Sequence, residues 1–214
     1  MIKKVILFTS FFLISEYSIA QKKAVTETGE EVILFEDGTW KYEDTPPIDK
    51  MEIALNPKEF KKSPKASFLL KSTRLDMGFW MDSKLWTFKK ATNNPSAEYE
   101  LQNKNHDLYG MIISEKIEVP LENLKELALS NARDISPDIK LIKEEYRMVN
   151  GLKVLLMQMN GTVQGIKFTY YGYYYSNENG TIQFITYSSQ KLIEENITSC
   201  EDLLNGIFEI KPTE

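Results

Sequence analysis

Residues 150–189, NGLKVLLMQMNGTVQGIKFTYYGYYYSNENGTIQFITYSS, decide how this chain folds. Asn150-Gly151 is a pair that type I′ hairpin turns favour, because both central positions need positive φ. Asn160-Gly161 reads as a second turn, and Asn177 through Gly180 as a third. Between these turns, residues 152–159, 166–176 and 181–188 are rich in the β-branched and aromatic residues that strands prefer. Residues 139–149 add a strand in front, giving a four-strand antiparallel meander. Within 152–159, Val154 and Leu156 point one way and Leu155 and Met157 the other. A strand with no polar face needs cover on both sides.

The strand 166–176 sets Tyr170, Tyr171, Tyr173, Tyr174 and Tyr175 around Gly172. Alternation places Phe168, Tyr170 and Tyr174 on one face and Tyr171, Tyr173 and Tyr175 on the other. We assign the first set to a core face beside Ile182 and Phe184, under a terminal helix. The second set, beside Ile185 and Tyr187, is expected under a helix at 120–135, with Tyr175 exposed at the edge. The alternative use of these tyrosines is a groove that stacks ligand rings or sugars.

Working outward, short β-like runs occur at 68–70, 78–81, 85–88, 97–101 and 108–114. Pro120 opens a helix in which Leu121, Leu124, Ala128, Ala132 and Ile135 recur at helical spacing, and Ser136-Pro137 ends it. The last element reads as a helix capped by Ser199, with Asp202 three residues on. Cys200, Leu203, Leu204, Ile207 and Phe208 form its packed stripe. Strands and helices are segregated along the chain, so the expected class is α+β, an antiparallel sheet with helices packed on it.

This order of elements resembles the PsbP and DcrB-like group of exported or lumenal proteins. The resemblance is carried by GFWMDSKLW, by the Pro-Leu-Glu-Asn-Leu helix start, by the meander quoted above and by SCEDLLNGIF, and spans residues 68–208. It implies a PsbP-like fold and a binding or assembly role rather than catalysis. Ahead of it, AVTETGEEVILFEDGTWKY resembles the DGTW-ending β-meander of secreted Gram-negative proteins. Asp37-Gly38 between β-forming residues is a hairpin signal of the same kind as Asn150-Gly151.

The domain reading is a signal peptide at 1–20, a small β-meander at 21–43, a linker at 44–67 and the α+β domain at 68–214. Lys3-Lys4, an apolar run at 5–14 and Ser18-Ile19-Ala20 before Gln21 form the three regions of a cleaved secretory signal. That apolar run falls well short of the ~20 residues needed to span a bilayer. Periplasmic or secreted localisation is therefore expected, without stable membrane insertion after cleavage. The linker holds Pro46, Pro47, Pro57 and Pro64 with Lys58, Lys61, Lys62 and Lys65, and lacks a regular apolar period.

Composition narrows the chemistry. At 42% hydrophobic and 27% charged the chain has the makings of a core, which excludes disorder. A net charge of −5 leaves no basic footprint for nucleic acid. One His and one Cys exclude an internal disulfide, zinc fingers and CxxC redox chemistry. His106 lies in a polar turn and Cys200 on an apolar stripe, so neither is assigned a catalytic role. Neighbours such as Glu144-Glu145 on a strand point to opposite faces and cannot flank one bond. Asn177-Glu178-Asn179-Gly180 lacks the ligand spacing of a calcium loop. Asn160, Asn179 and Asn196 open Asn-x-Thr sequons, two of them in Asn-Gly pairs.

No catalytic, cofactor-binding or metal-ligating residue is assigned, and no cofactor. The expected function is that of a non-enzymatic envelope binding or assembly module for a protein or apolar ligand. A hydrolase acting on envelope polymers through carboxylates is the alternative. Mass spectrometry of the exported protein is expected to place Gln21 at the N-terminus; a retained Met1 would overturn the signal-peptide reading.

Overall fold

The structure, a computed structural model, describes residues 22–25, 31–35, 39–42, 52–92 and 94–211. The leader at 1–20, the Thr28-Gly29 and Asp37-Gly38 turns and the linker's first part lie outside those residues. The chain divides into two compact units, residues 1–51 and 52–214.

In the first unit, β1 (Lys22–Val25), β2 (Glu31–Leu34) and β3 (Trp40–Tyr42) form a three-stranded antiparallel sheet in that order. Val32 is buried within it, and the Phe35 N–H donates to the Thr39 carbonyl at 2.8 Å.

The second unit begins with β4 (Leu55–Phe60), β5 (Phe68–Lys71), β6 (Met77–Met81), β7 (Trp86–Lys90), β8 (Ala97–Asn103) and β9 (Tyr109–Glu115). The helix α1 (Leu121–Ile135) follows, then the long strands β10 (Lys140–Val149), β11 (Leu152–Val163), β12 (Ile166–Asn177) and β13 (Gly180–Ser189). Two short helices, α2 (Gln190–Glu195) and α3 (Ile197–Leu204), lead to a last strand, β14 (Ile207–Glu209). Eight strands make one sheet in the order β4-β10-β11-β12-β13-β9-β8-β7, and β14-β6-β5 make a second. The unit is mixed α+β and mostly sheet.

Both faces of the large sheet are covered. On one face, Leu124, Ala128, Leu129 and Ala132 of α1 join Leu155, Met157, Met159, Tyr174 and Ile185 in a core cluster. On the other, Leu70, Phe79, Met81 and Ile207 of the small sheet join Ile193, Cys200 and Leu204 over Leu156, Tyr171, Tyr173 and Phe184. Phe79 meets Phe184 edge-on, ring centroids 5.1 Å apart, which ties the two sheets together. The cover on this second face is therefore a sheet as much as helices.

Four expectations change. The stretch read as linker contains β4, which pairs in parallel with β10 (Leu55 opposite Tyr146, Phe60 opposite Val149) and buries Phe60 and Ala66. Pro57 fits there because β4 is an edge strand that needs donors on one side only. Asn160-Gly161 is not a turn: both residues continue β11, opposite Thr169 and Phe168. The chain reverses instead at Gln164 (φ 51) and Gly165 (φ 80), the positive-φ pair that a tight hairpin requires.

At the C-terminus, the helix starts at Ile197 after Asn196, so Ser199 lies inside it and caps nothing. Ile207 and Phe208 belong to β14, paired with Phe79 and Gly78 of β6. Gly206 makes that switch possible, since a Cβ there would sit 1.8 Å from the Trp80 carbonyl oxygen. The tyrosine faces, finally, take each other's covers. Tyr173 lies opposite Phe184 and Tyr175 opposite Ile182, so Tyr171, Tyr173 and Tyr175 face the small sheet and α3. Phe168, Tyr170 and Tyr174 lie under α1. Tyr175, expected exposed, is buried at 9%.

A chain beginning at Glu52 is expected to unfold in one transition at the Tm of the full-length protein. One beginning at Ser67 lacks β4 and the buried Phe60, and should melt roughly 5–10 °C lower. Circular dichroism melts check this, and equal melting of the two shortened chains would mean that β4 contributes nothing.

Candidate functional site

Two places in the second unit concentrate polar groups, and they differ in access. The first is internal. Arg147 of β10 is 3% exposed, and its ring of partners comes from three elements. Its Nε donates to Glu145 Oε1 at 2.6 Å, and its Nη1 donates to Glu201 Oε1 at 2.8 Å and to the Tyr173 hydroxyl at 3.0 Å. Tyr173 in turn donates to Asn205 Oδ1 at 2.8 Å, and Tyr171 to Glu201 Oε1 at 2.7 Å. The guanidinium lies 4.3 Å from the Phe60 ring centroid, a cation–π contact that explains why β4 is held there.

Burial pushes the Glu201 carboxyl up, but the Tyr171 and Arg147 hydrogen bonds outweigh it and hold it below the ordinary range. Burial likewise opposes Glu145, and Arg147 beside it wins. The Tyr173 hydroxyl is pushed up to about 12, mainly by burial. These groups satisfy one another's hydrogen bonds within the core.

A second buried carboxylate, Glu98, is satisfied the same way. Burial raises its pKa, and the Thr73 N–H with the Ser72 and Thr73 hydroxyls more than offsets that, leaving it lowered. Cys200 is fully buried, its thiol pushed up to about 11 chiefly by burial. His106 sits in the exposed loop between β8 and β9. Glu144 and Glu145 do face opposite ways: Glu144 pairs with Lys125 of α1 at 2.6 Å, while Glu145 meets Arg147. Asn160 accepts from Thr169, Asn196 donates to the Leu192 carbonyl, and Asn179 is exposed in the β12–β13 turn. Among the described residues, no three His, Cys, Asp or Glu side chains gather to hold a metal.

The second place is open to solvent. A face eight strands wide measures roughly 35 Å at strand spacing, whereas a helix covers about 10 Å of width. The single helix α1 lies over the side of β10–β13 and leaves the β9-β8-β7 end of its face uncovered. There a cavity of about 340 Å³ is lined by Thr87, Lys89, Glu100, Gln102, Tyr109 and Tyr187, with Phe88 and Leu101. Tyr109 stacks on Tyr187 at 5.7 Å (26° between ring planes), and Tyr187 meets Tyr170 at 5.9 Å with the rings tilted by 60°. Lys89 and Glu100 form an ion pair at 2.9 Å, and Thr87 donates to the Gln102 carbonyl at 3.3 Å.

A wider hollow of about 470 Å³ lies outside the small sheet, beside Trp80, Phe208, Asn150 and Lys62. Its Trp80 ring is already occupied by the Lys62 ammonium, 4.7 Å from the centroid. The groove at Tyr109 is therefore the candidate site. The dense tyrosine run points to β12, but the rings that line the groove are the half-buried Tyr187 on β13 and Tyr109 on β9. Cross-strand register is the signal that joins them, since Tyr187 lies directly opposite both Tyr170 and Tyr109.

No protein-family model matches the chain, and no curated protein matches it at a significant level. Solved structures do. The solution structure of the cyanobacterial PsbP protein CyanoP from Synechocystis sp. PCC 6803 superposes with a TM-score of 0.50 at 13% identity, over 66% of this chain and 91% of that one. A Pseudomonas aeruginosa protein of unknown function gives a TM-score of 0.43 at 11% identity, over 68% and 98% of the two chains. A Bacteroides thetaiotaomicron protein gives 0.46 at 11% identity, over 68% of this chain and 49% of that one. The CyanoP likeness supports a PsbP-like fold.

The internal network has a pH signature. Folded Glu201 and Glu145 hold their protons less tightly than at the ordinary value of 4.5, so their contribution is complete above that pH and fades below it. Wild-type Tm is expected to fall as the pH is lowered through and below about 4.5. Glu201→Gln should melt lower at neutral pH and lose less in acid. A Glu201→Gln protein whose Tm tracks wild type at every pH would remove Glu201 from the stability of the fold.

Proposed function

We propose that the protein is an exported, non-enzymatic binding module of the cell envelope, periplasmic or secreted, for a protein or apolar ligand that it holds against the uncovered end of its sheet. The leader at 1–20 and the DGTW-type meander support export. The carboxylates with shifted protonation, Glu98, Asp138, Glu145 and Glu201, are engaged in internal hydrogen bonds, and this favours binding over hydrolysis. One observation carries the reading: a solvent-open cavity of about 340 Å³ with two stacked tyrosines in its wall. Concave sites with aromatic walls and a few polar groups are where ligands bind.

The uncharged apolar dye N-phenyl-1-naphthylamine tests the placement. It is expected to bind the folded protein, and Tyr109→Ala with Tyr187→Ala should weaken binding about tenfold or more. Circular dichroism confirms that the variant is folded. Dye binding that is absent, or unchanged in the folded double variant, would remove the groove as the ligand site.

A further inference from the structure

The groove continues a row of rings that stops short. Across the sheet, Tyr170 lies opposite Tyr187, Tyr187 opposite Tyr109, Tyr109 opposite Gln102, and Gln102 opposite Thr87. Tyr187 and Tyr109 of that row stack at 5.7 Å, and Tyr170 meets Tyr187 at 5.9 Å with its ring tilted by 60°. Gln102 and Thr87 carry no ring and are exposed, and the cavity lies over them. Two strand positions give a floor roughly 10 Å wide beyond the last tyrosine, room for one flat ring.

We propose that an uncharged pyranose ring fills this place, stacking its C–H face on Tyr109 and turning its hydroxyls to Gln102, Thr87, Glu100 and Lys89. This rests on reading the groove as the ligand site and narrows the ligand to the apolar face of a sugar. The walls select among flat ligands. An aromatic hydrocarbon would cover the Gln102 amide without giving it a partner, and would add no hydrogen bond to those that Thr87 and Glu100 already make. A phosphorylated ring would meet Glu100, and the nearby cation, Lys89, is already paired at 2.9 Å. A sugar edge offers both donors and acceptors, as the walls do. β-Linked glucose or N-acetylglucosamine fits best, since its substituents are equatorial and leave an unbroken face of axial C–H bonds.

The test is an NMR titration of the folded full chain with cellotriose and with triacetylchitotriose. Amide shifts should be confined to β7, β8, β9 and β13, saturating at about millimolar concentration. Tyr109→Ala should weaken binding about tenfold or more, Gln102→Ala by a smaller factor, and Tyr109→Phe should retain it. Gln102 is exposed, so its variant keeps the test alive if Tyr109→Ala fails to fold. Acyclic mannitol, with hydroxyls but no ring face, should give no shifts. Absence of saccharide shifts up to about 10 mM, or shifts elsewhere, overturns the proposal. Shifts with adenosine alone would make this a heterocycle site and overturn it too, leaving the groove standing. Failure of dye, adenosine and saccharides together would remove the groove itself.

Discussion

The strands at the centre of the large sheet have no side that can face water. Leu155 and Met157 fill one face of β11, Val154 and Leu156 the other, and all four are fully buried. Everything else in the second unit answers that constraint. One helix lies on one side; a three-stranded sheet and two short helices lie on the other. The covers are unequal, and the inequality sets where the molecule is open. The two-layer cover reaches from β10 past β8, burying Trp86, Tyr99 and Leu101 on its side. The lone helix does not reach as far, and the tyrosines beyond it remain partly wet.

The network around Arg147 is the cost of closing the wider cover over a tyrosine-rich strand. Tyr171 and Tyr173 bring hydroxyls into an apolar layer, where each needs a partner. Glu201 and Asn205, at the end of α3, supply acceptors, and Arg147 balances the carboxylates. Removing one member leaves the others uncompensated, which is why such clusters weigh on stability mainly when broken. Asn150 extends the ties: its Nδ2 donates to the carbonyls of Asn205 and Ile207, and its N–H to Phe60. A turn residue chosen for its positive φ thus also pins both the C-terminal strand and β4.

Much of this was legible in the residues. Periodicity located α1, and alternation with turn chemistry located the meander strands and the apolar double face of β11. What failed was register. The two-residue loop Glu178-Asn179 sets Asn177 opposite Gly180, which places Tyr173 against Phe184. Pairing Tyr170 and Tyr174 with Ile182 and Phe184 was out by one residue, and one residue exchanges the faces of a strand. Ile207 and Phe208 kept helical spacing although Asn205-Gly206 marked the end of the helix. β4 was hidden because an edge strand carries Pro57 and exposed charge, the composition of a linker. The groove was out of reach because its two rings, Tyr109 and Tyr187, are far apart in the chain and meet only through β9–β13 pairing.

The position of β14 has a consequence for how the molecule assembles in time. β10 to β13 are neighbours in both sequence and space, so their contacts close small loops and form early. β14 pairs with β6, joining residues near 208 to residues near 78, and this long closure is entropically the slowest. The residues that satisfy Arg147 and the two tyrosines come from the same late segment, 201–205. During synthesis that segment emerges after the whole meander. Until it does, Arg147 has only Glu145 and the Tyr173 hydroxyl as hydrogen-bond partners, and the Tyr171 and Tyr173 hydroxyls lack their acceptors Glu201 and Asn205. Residues 201–209 work as a latch, since they both pair with β6 and supply the acceptors for Arg147, Tyr171 and Tyr173.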